Sequence, residues 1–235
     1  MTQDFNLNGQ PVGQPMPQWK MASLPEALTL NGHYCRLERV NVDQHGKDLY
    51  ETLYASVDQQ EWTYLLHEPA ADEKSFMSWL REISQSHDPV FYTIVATDTV
   101  KAVGLASYLR INPEHGVIEV GHLHFSPLLQ KTAAATEAMY LMMKYAFEQL
   151  GYRRYEWKCD SLNAPSRKAA LRLGFTFEGI FRQALVYKGR NRDTAWFSML
   201  DGEWPELKKA FEQWLNPDNF NSEGQQLQKL QAARC

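Results

Sequence analysis

The sequence predicts an α/β fold of the α+β kind, with a mixed, mostly antiparallel central sheet and helices on both faces. Three observations predict it. Apolar, β-branched and aromatic runs of strand length recur between turn signals, and one long segment, 132–150, carries apolar residues at helical 3/4 spacing. The resulting order is strand, two helices, a three-strand meander, helix, strand, helix and two strands, an alternation that buries one face of each helix against a sheet.

Residues 1–31 are rich in Gln, Asn, Pro and Gly and read as an extended N-terminal arm, packed on the domain through Trp19. HYCRLERV, at 33–40, alternates as a strand. Asp43 is the expected cap of a helix ending near Ala55, and residues 72–86 read as a second helix. PVFYTIVAT and AVGLASYLRI are strands separated by a turn at Asp98, and INPEHG connects them to the strand VIEVGHLHF. Over 132–150, Ala135, Met139, Met142, Met143, Ala146 and Leu150 share one helical face, and Gly151 supplies the stop. RRYEWKCD is the next strand, and APSRKAALRLGF is a short helix stopped at Gly174. TFEGIFRQALVYKG and RDTAWFSMLD form a last hairpin joined through residues 189–193, and EWPELKKAFEQWL is the C-terminal helix. The domain is therefore expected at 32–216, followed by a mobile Gln-rich tail at 217–235.

With 44% apolar and 22% charged residues, the 235-residue chain has ample core for one domain. A net charge of −4 leaves no electrostatic footprint for nucleic acid and no polybasic membrane patch. Arg153, Arg154 and Lys158 beside Tyr155 and Trp157 read as a half-exposed strand rather than a nucleic-acid surface. Cys35, Cys159 and Cys235 are odd in number and far apart, without a CxxC or Cys/His cluster, so neither a disulfide framework nor a metal site is expected. The start lacks a signal-peptide pattern, and no apolar stretch approaches the ~18 residues that span a bilayer. A cytoplasmic location follows as the expectation.

The loop Gln130-Lys131-Thr132-Ala133-Ala134-Ala135 opens the long helix. A helix N-terminus presents unpaired N–H groups and the positive end of the helix dipole, and small side chains let a phosphate reach them. Lys131 adds a charge and Gln130 an amide donor. Alanines are equally good helix formers at the start of a buried helix, so this loop alone leaves both readings open. The glycine patterns GxxxxGK[ST] and GxGxxG are absent.

Four stretches together resemble the GCN5-related N-acetyltransferase (GNAT) superfamily, in the branch similar to the ribosomal-protein alanine acetyltransferases, over residues 34–199. IEVGHLHFSP resembles that branch's fourth strand, QKTAAATEA its (Q/R)xxGx(G/A) loop, NAPSRKAALRLGF its Asn-x-x-Ser helix and Gly-Phe turn, and FTFEGIFRQALVYKGRNRDTAWFSML its closing hairpin. The resemblance implies transfer of an acetyl group from acetyl-CoA to a primary amine, by direct attack in a ternary complex, with no metal and no nucleophilic cysteine. It places the diphosphate on Gln130, Lys131, Thr132, Ala133, Ala134 and Ala135. The pantetheine then lies between VIEVGHLHF and RRYEWKCD, near Asn163. A backbone N–H at a strand bulge near His124 and Phe125 would polarise the thioester. Ser166 is implied as the proton donor to sulfur. For the base, Glu119 ranks first and His124 second. His122 shares the strand parity of His124, opposite to Glu119 unless a bulge intervenes. Trp62, Tyr64, Phe76 and Trp79 lie where this fold covers the acceptor cleft, and core packing is their simpler reading.

Three positions depart from the pattern. Ala133 stands for a glycine, Ala170 for the tyrosine acid of many members, and Leu185 for a glutamate of the close relatives. These departures support an alternative, a CoA-binding sensor or scaffold that has lost catalysis. A pure interaction module, using the arm and tail, is a third reading. The arm, the last strand and the C-terminal helix are each candidate surfaces for a homodimer. Without an obvious base, a low-pKa acceptor is favoured: about a tenth of a peptide α-amine is neutral at pH 7, against a few in ten thousand of a lysine amine.

Overall fold

A computed structural model of the chain describes residues 4–26, 28–55 and 59–232, so Cys235 lies outside the described residues. A small hairpin, β1 (Asp4–Phe5) and β2 (Pro11–Val12), precedes β3 (Leu30–Asn31), β4 (Cys35–Arg39), α1 (Val42–Tyr50) and α2 (Glu73–Ser84). The meander is β5 (Val90–Ala96), β6 (Ala102–Asn112) and β7 (Val117–Phe125). Then come α3 (Ala133–Lys144), β8 (Arg154–Asp160), α4 (Ala164–Arg172), β9 (Thr176–Tyr187), β10 (Arg190–Leu200) and α5 (Trp204–Leu215).

Eight strands form one sheet in the order β3-β4-β5-β6-β7-β8-β10-β9. Every pair is antiparallel except β7 with β8. A parallel pair needs a crossover, and α3 supplies it, starting just past the end of β7. On one face, Met139, Met142 and Met143 of α3 and Phe211 of α5 pack against Ile94, Tyr108, Val120 and Trp157. On the other, Phe76 and Leu80 of α2 join Leu49 and Leu53 against Phe91, Val95 and Leu105. Among the described residues, no helix is long and apolar enough to cross a membrane.

The caps explain most of the helix boundaries. Asn41, not Asp43, caps α1: its side chain accepts from Asp43 N at 3.0 Å and Gln44 N at 3.2 Å. Asn41 has the extended backbone that an N-cap needs, while Asp43 already lies in the first turn, where its charge suits the dipole. Asp72 caps α2 through Ser75 N at 2.7 Å, and Thr132 caps α3 through Ala135 N at 3.1 Å. Helix α3 continues as a π-helical turn, Tyr145–Gln149, and the chain leaves it through Gly151 at φ 78°.

The arm and tail both touch the sheet domain. Trp19 Nε1 donates to Glu114 O at 3.0 Å, and its ring fills the space where a side chain at Gly116 would stand. The tail, expected to be mobile, is placed against α5 and the turn after α4 over 217–232. The Asn219 side chain donates to Trp214 O at 2.9 Å and accepts from Gln228 N at 2.8 Å. Leu230 and Ala232 are buried, the latter beside Gly174. Periodicity carries no signal for such side-chain-to-backbone ties.

One contact anchors the start of α3. Buried Glu137 accepts backbone N–H groups from His33 at 2.7 Å, Tyr34 at 2.6 Å and Cys35 at 2.8 Å. A side chain at Gly32 would run into that carboxylate, so the close approach requires glycine there. Glu137→Ala leaves three donors unpaired and should lower the unfolding free energy by about 3 kcal/mol, read by urea denaturation. Gly32→Ala should destabilise through the same contact.

Candidate active site

The parallel pair is short. Strands β7 and β8 are in register from Val117 opposite Arg154 to Val120 opposite Trp157, and there the pairing stops. Gly121 to Phe125 therefore run beside an open gap. Ser126 N donates to Val103 O at 3.1 Å on the β6 side, so strand alternation turns the N–H groups of Leu123 and Phe125 toward the gap. Gln130 Nε2 reaches Phe125 O from that side at 2.9 Å.

The bulge lies earlier than expected. Leu105 faces His124 and Ser107 faces Gly121, so His122 and Leu123 together oppose Ala106, with His122 at φ 48°. The extra residue changes the parity. Glu119, Gly121 and His124 share the face of Leu109, Ser107 and Leu105, whereas unbroken alternation would separate Glu119 from His124.

At the mouth of the gap, Thr132 Oγ1 donates to Leu129 O at 2.7 Å and takes Ala135 N, one of the donors of the helix start. Ala133 and Ala134 hold the first two helical positions, whose N–H groups have no acceptor within the helix. Ala133 has a helical backbone, so its methyl replaces glycine without strain. Lys131 is exposed, at φ 62°. The Gln130 amide is already committed, to Phe125 O and to Glu61 Oε2, each at 2.9 Å.

On the α3 side of the sheet, Asn163 caps α4: its Oδ1 accepts Ser166 N at 3.0 Å, and its side-chain NH₂ remains a donor. Ser166 Oγ accepts the indole N–H of Trp157 at 3.0 Å. Cys159 is buried on the same side, and burial raises its thiol pKa against the opposing pull of Ser166 and two arginines. It is a poor nucleophile at neutral pH.

Glu119 is not placed as a free base. Its carboxylate lies between Lys158 Nζ at 2.8 Å and Arg110 Nη1 at 2.5 Å. Lys158 also meets Glu156 at 2.8 Å and rests on the Trp196 ring at 3.7 Å. Arg154 extends the row to Glu156 at 2.6 Å and Glu178 at 2.5 Å. Lys158, expected half-exposed, is thus a buried cation between two carboxylates, which is the arrangement that burial of charge demands.

His124 differs. It is 6% exposed, and both of its ring nitrogens are buried without a hydrogen-bond partner. Its ring meets Trp62 edge-on at 4.6 Å, and Trp62 in turn meets His67 at 5.6 Å. Burial, then the nearby His67, pushes the His124 imidazole down to about 4, so it is neutral at pH 7. His122 is also lowered to about 4, by burial first and then His67 and Arg110, but its Nδ1 is engaged by Ser107 Oγ at 2.9 Å. Sequence reasoning missed His67, which no motif marks. Trp62 is both a core residue and a wall of the site.

A cleft of about 710 Å³ opens beside Trp62, between residues 62–69, the end of β8 at Asp160 and the β9–β10 turn. Tyr64 OH donates to Leu162 O at 3.2 Å and Lys188 Nζ to Trp62 O at 2.7 Å, tying the segment across the mouth. Tyr187 OH donates to buried Asp160 at 2.8 Å.

Three histidines whose pKa burial lowers, His67, His122 and His124, set a pH dependence. Between the ordinary value of 6.5 and about 4, the unfolded chain binds more protons than the folded one. Their contribution to stability is complete above pH 6.5 and falls as the pH drops toward 4. Chemical denaturation across that range should show the decline, and His124→Gln should make it shallower, with His67 and His122 supplying the remainder.

Residues 36–176 match the acetyltransferase (GNAT) domain family. The crystal structure of a GCN5-related N-acetyltransferase from Brucella melitensis is 47% identical, with a TM-score of 0.90 over 92% of this chain and 98% of that one. An N-acetyltransferase of Bacillus licheniformis, p20, is 27% identical over 135 residues, 56% of this chain and 73% of that protein. RimL, a ribosomal L7/L12 α-N-protein acetyltransferase, shares the fold at 17% identity and a TM-score of 0.63, over 74% of this chain and 94% of that one. The family match covers more than half of the chain and the Brucella melitensis structure agrees with it in sequence and in fold, so this chain belongs to the GNAT family of acetyl-CoA-dependent N-acetyltransferases.

Proposed function

We propose that this enzyme transfers an acetyl group from acetyl-CoA to a primary amine, a protein N-terminus or a small-molecule amine, by direct attack in a ternary complex. The observation that carries the reading is the gap between β7 and β8. Its backbone donors turn inward, a neutral, unpartnered histidine stands on one side, and a serine stands on the other.

The residues divide the work by position. The N–H groups of Ala133 and Ala134, with the charge of Lys131, suit the diphosphate. The pantetheine amides pair with the exposed edge of β7 and with the Asn163 side-chain NH₂. An inward N–H of Leu123 or Phe125 meets the thioester oxygen as negative charge develops there, an effect worth about 3–4 kcal/mol in comparable sites. His124 shares its face with the acceptor cleft beside Trp62, and Ser166 lies on the α3 face. The amine therefore arrives from one side of the sheet and the sulfur departs toward the other.

His124 replaces Glu119 as the base because its nitrogens are unengaged, while two cations hold the carboxylate. Its low basicity suits a late role. Attack makes the amine nitrogen cationic and strongly acidic, and a neutral imidazole then accepts its proton. An α-amine, already about a tenth neutral at pH 7, asks the least of such a base. The bond to sulfur breaks with its electron pair on sulfur, where the Ser166 hydroxyl donates a hydrogen bond. The proton given up by the amine balances the CoA thiol formed.

Purified protein should release free thiol from acetyl-CoA when given peptides with a free α-amine, and mass spectrometry should find one added acetyl group on that amine. His124→Gln should lower kcat by about 10²-fold with little change in the KM for acetyl-CoA. Glu119→Gln should act mainly on stability. Saturable acetyl-CoA binding with no thiol release across α-amines, lysine peptides, amino acids and polyamines would favour the sensor reading instead.

A further inference from the structure

We infer that Trp157 is a positioning residue: its indole N–H fixes the Ser166 hydroxyl so that the hydroxyl proton is aimed at the departing sulfur. This rests on the role given to Ser166 above.

The direction of the bond is not ambiguous. An indole N–H can only donate, so at 3.0 Å it occupies a lone pair of Ser166 Oγ, and the serine must point its own proton elsewhere. The local alternatives are few. Asn163 Oδ1 accepts Ser166 N and the Leu162 carbonyl one turn back accepts Tyr64 OH, and Ser166 Oγ donates to neither. The sulfur of buried Cys159 lies within hydrogen-bond reach of the Ser166 side chain, and sulfur is a weak acceptor that a departing thiolate outcompetes. A serine in the first turn of a helix commonly bonds back to its own helix, and no such bond is present here.

The donor is rigidly held. Trp157 is 5% exposed and packs edge-on against Phe175 at 5.6 Å. Its backbone is the last of β8 to pair with β7, opposite Val120, and it also pairs with Phe197 of β10. The indole therefore stands at the vertex where the strands part, the point a thioester in the gap approaches most deeply. Donation into Oγ also strengthens the donation by the hydroxyl, since linked hydrogen bonds polarise one another.

Trp157→Phe keeps a packed ring and removes the N–H. The expected result is a kcat lowered about tenfold, equivalent to about 1.4 kcal/mol, with the KM and Kd for acetyl-CoA within twofold of the parent. In the Ser166→Ala background the same change should have no further effect on kcat, because the hydroxyl it orients is gone. A packing role alone would give additive losses and a lowered Tm. Should the phenylalanine variant fail to fold, Trp157→benzothienylalanine keeps the ring shape with sulfur in place of N–H and should reproduce the loss. An unchanged kcat in Ser166→Ala would overturn the serine's role, and this inference with it. A low kcat in Ser166→Ala beside an unchanged kcat in the Trp157 variants would overturn the inference alone.

Discussion

The parallel register of β7 and β8, and its early end, is the constraint on which the rest of the site depends. Four paired positions hold the strands together, and the next residues of each part company. Parted strands leave backbone N–H and C=O groups unsatisfied, which is unfavourable in a protein interior unless a ligand or water supplies partners. Because the pair is parallel, the chain must cross over between them, and the crossover helix α3 begins where β7 ends. One topological choice thus places a gap with inward donors and a helix N-terminus at its mouth. The Glu137 carboxylate, bonded to three successive N–H groups before and within β4, fixes where that helix starts.

The bulge at His122 and Leu123 then distributes the side chains. It brings His124 to the face occupied by Glu119, against the aromatic group of Trp62 and His67. Glu119 itself belongs to a row of charges crossing from β6 to β9, where each buried ion has an opposite neighbour. Such a row holds strands in register, and it keeps the carboxylate engaged by two cations. Ser166 and Trp157 occupy the opposite face. In the proposed reaction, acceptor and leaving group lie on opposite faces of the sheet, which suits a displacement at a carbon held between its strands.

Much of this was legible in the sequence, because the relevant signals are local. Strand and helix periodicity, the start of the long helix near Thr132 and the glycine stops at Gly151 and Gly174 are contained within a few residues, and the structure places them as read. The misplaced features depend on partners far along the chain. Asn41 outcompetes Asp43 because backbone conformation, not residue type, selects the cap. The bulge position is set by pairing with β6, and the fate of Glu119 by Lys158 and Arg110 on neighbouring strands. His67 enters the site through a segment without periodicity, and the tail is placed by the two-sided bonding of Asn219.

The most direct test is amide hydrogen exchange at single-residue resolution, with and without saturating acetyl-CoA. The account predicts slowed exchange at the inward N–H groups of Leu123 and Phe125 and at Ala133 and Ala134, which the cofactor would cover together. Binding that saturates while these four amides exchange as before would contradict it, and would place the cofactor outside the gap between β7 and β8.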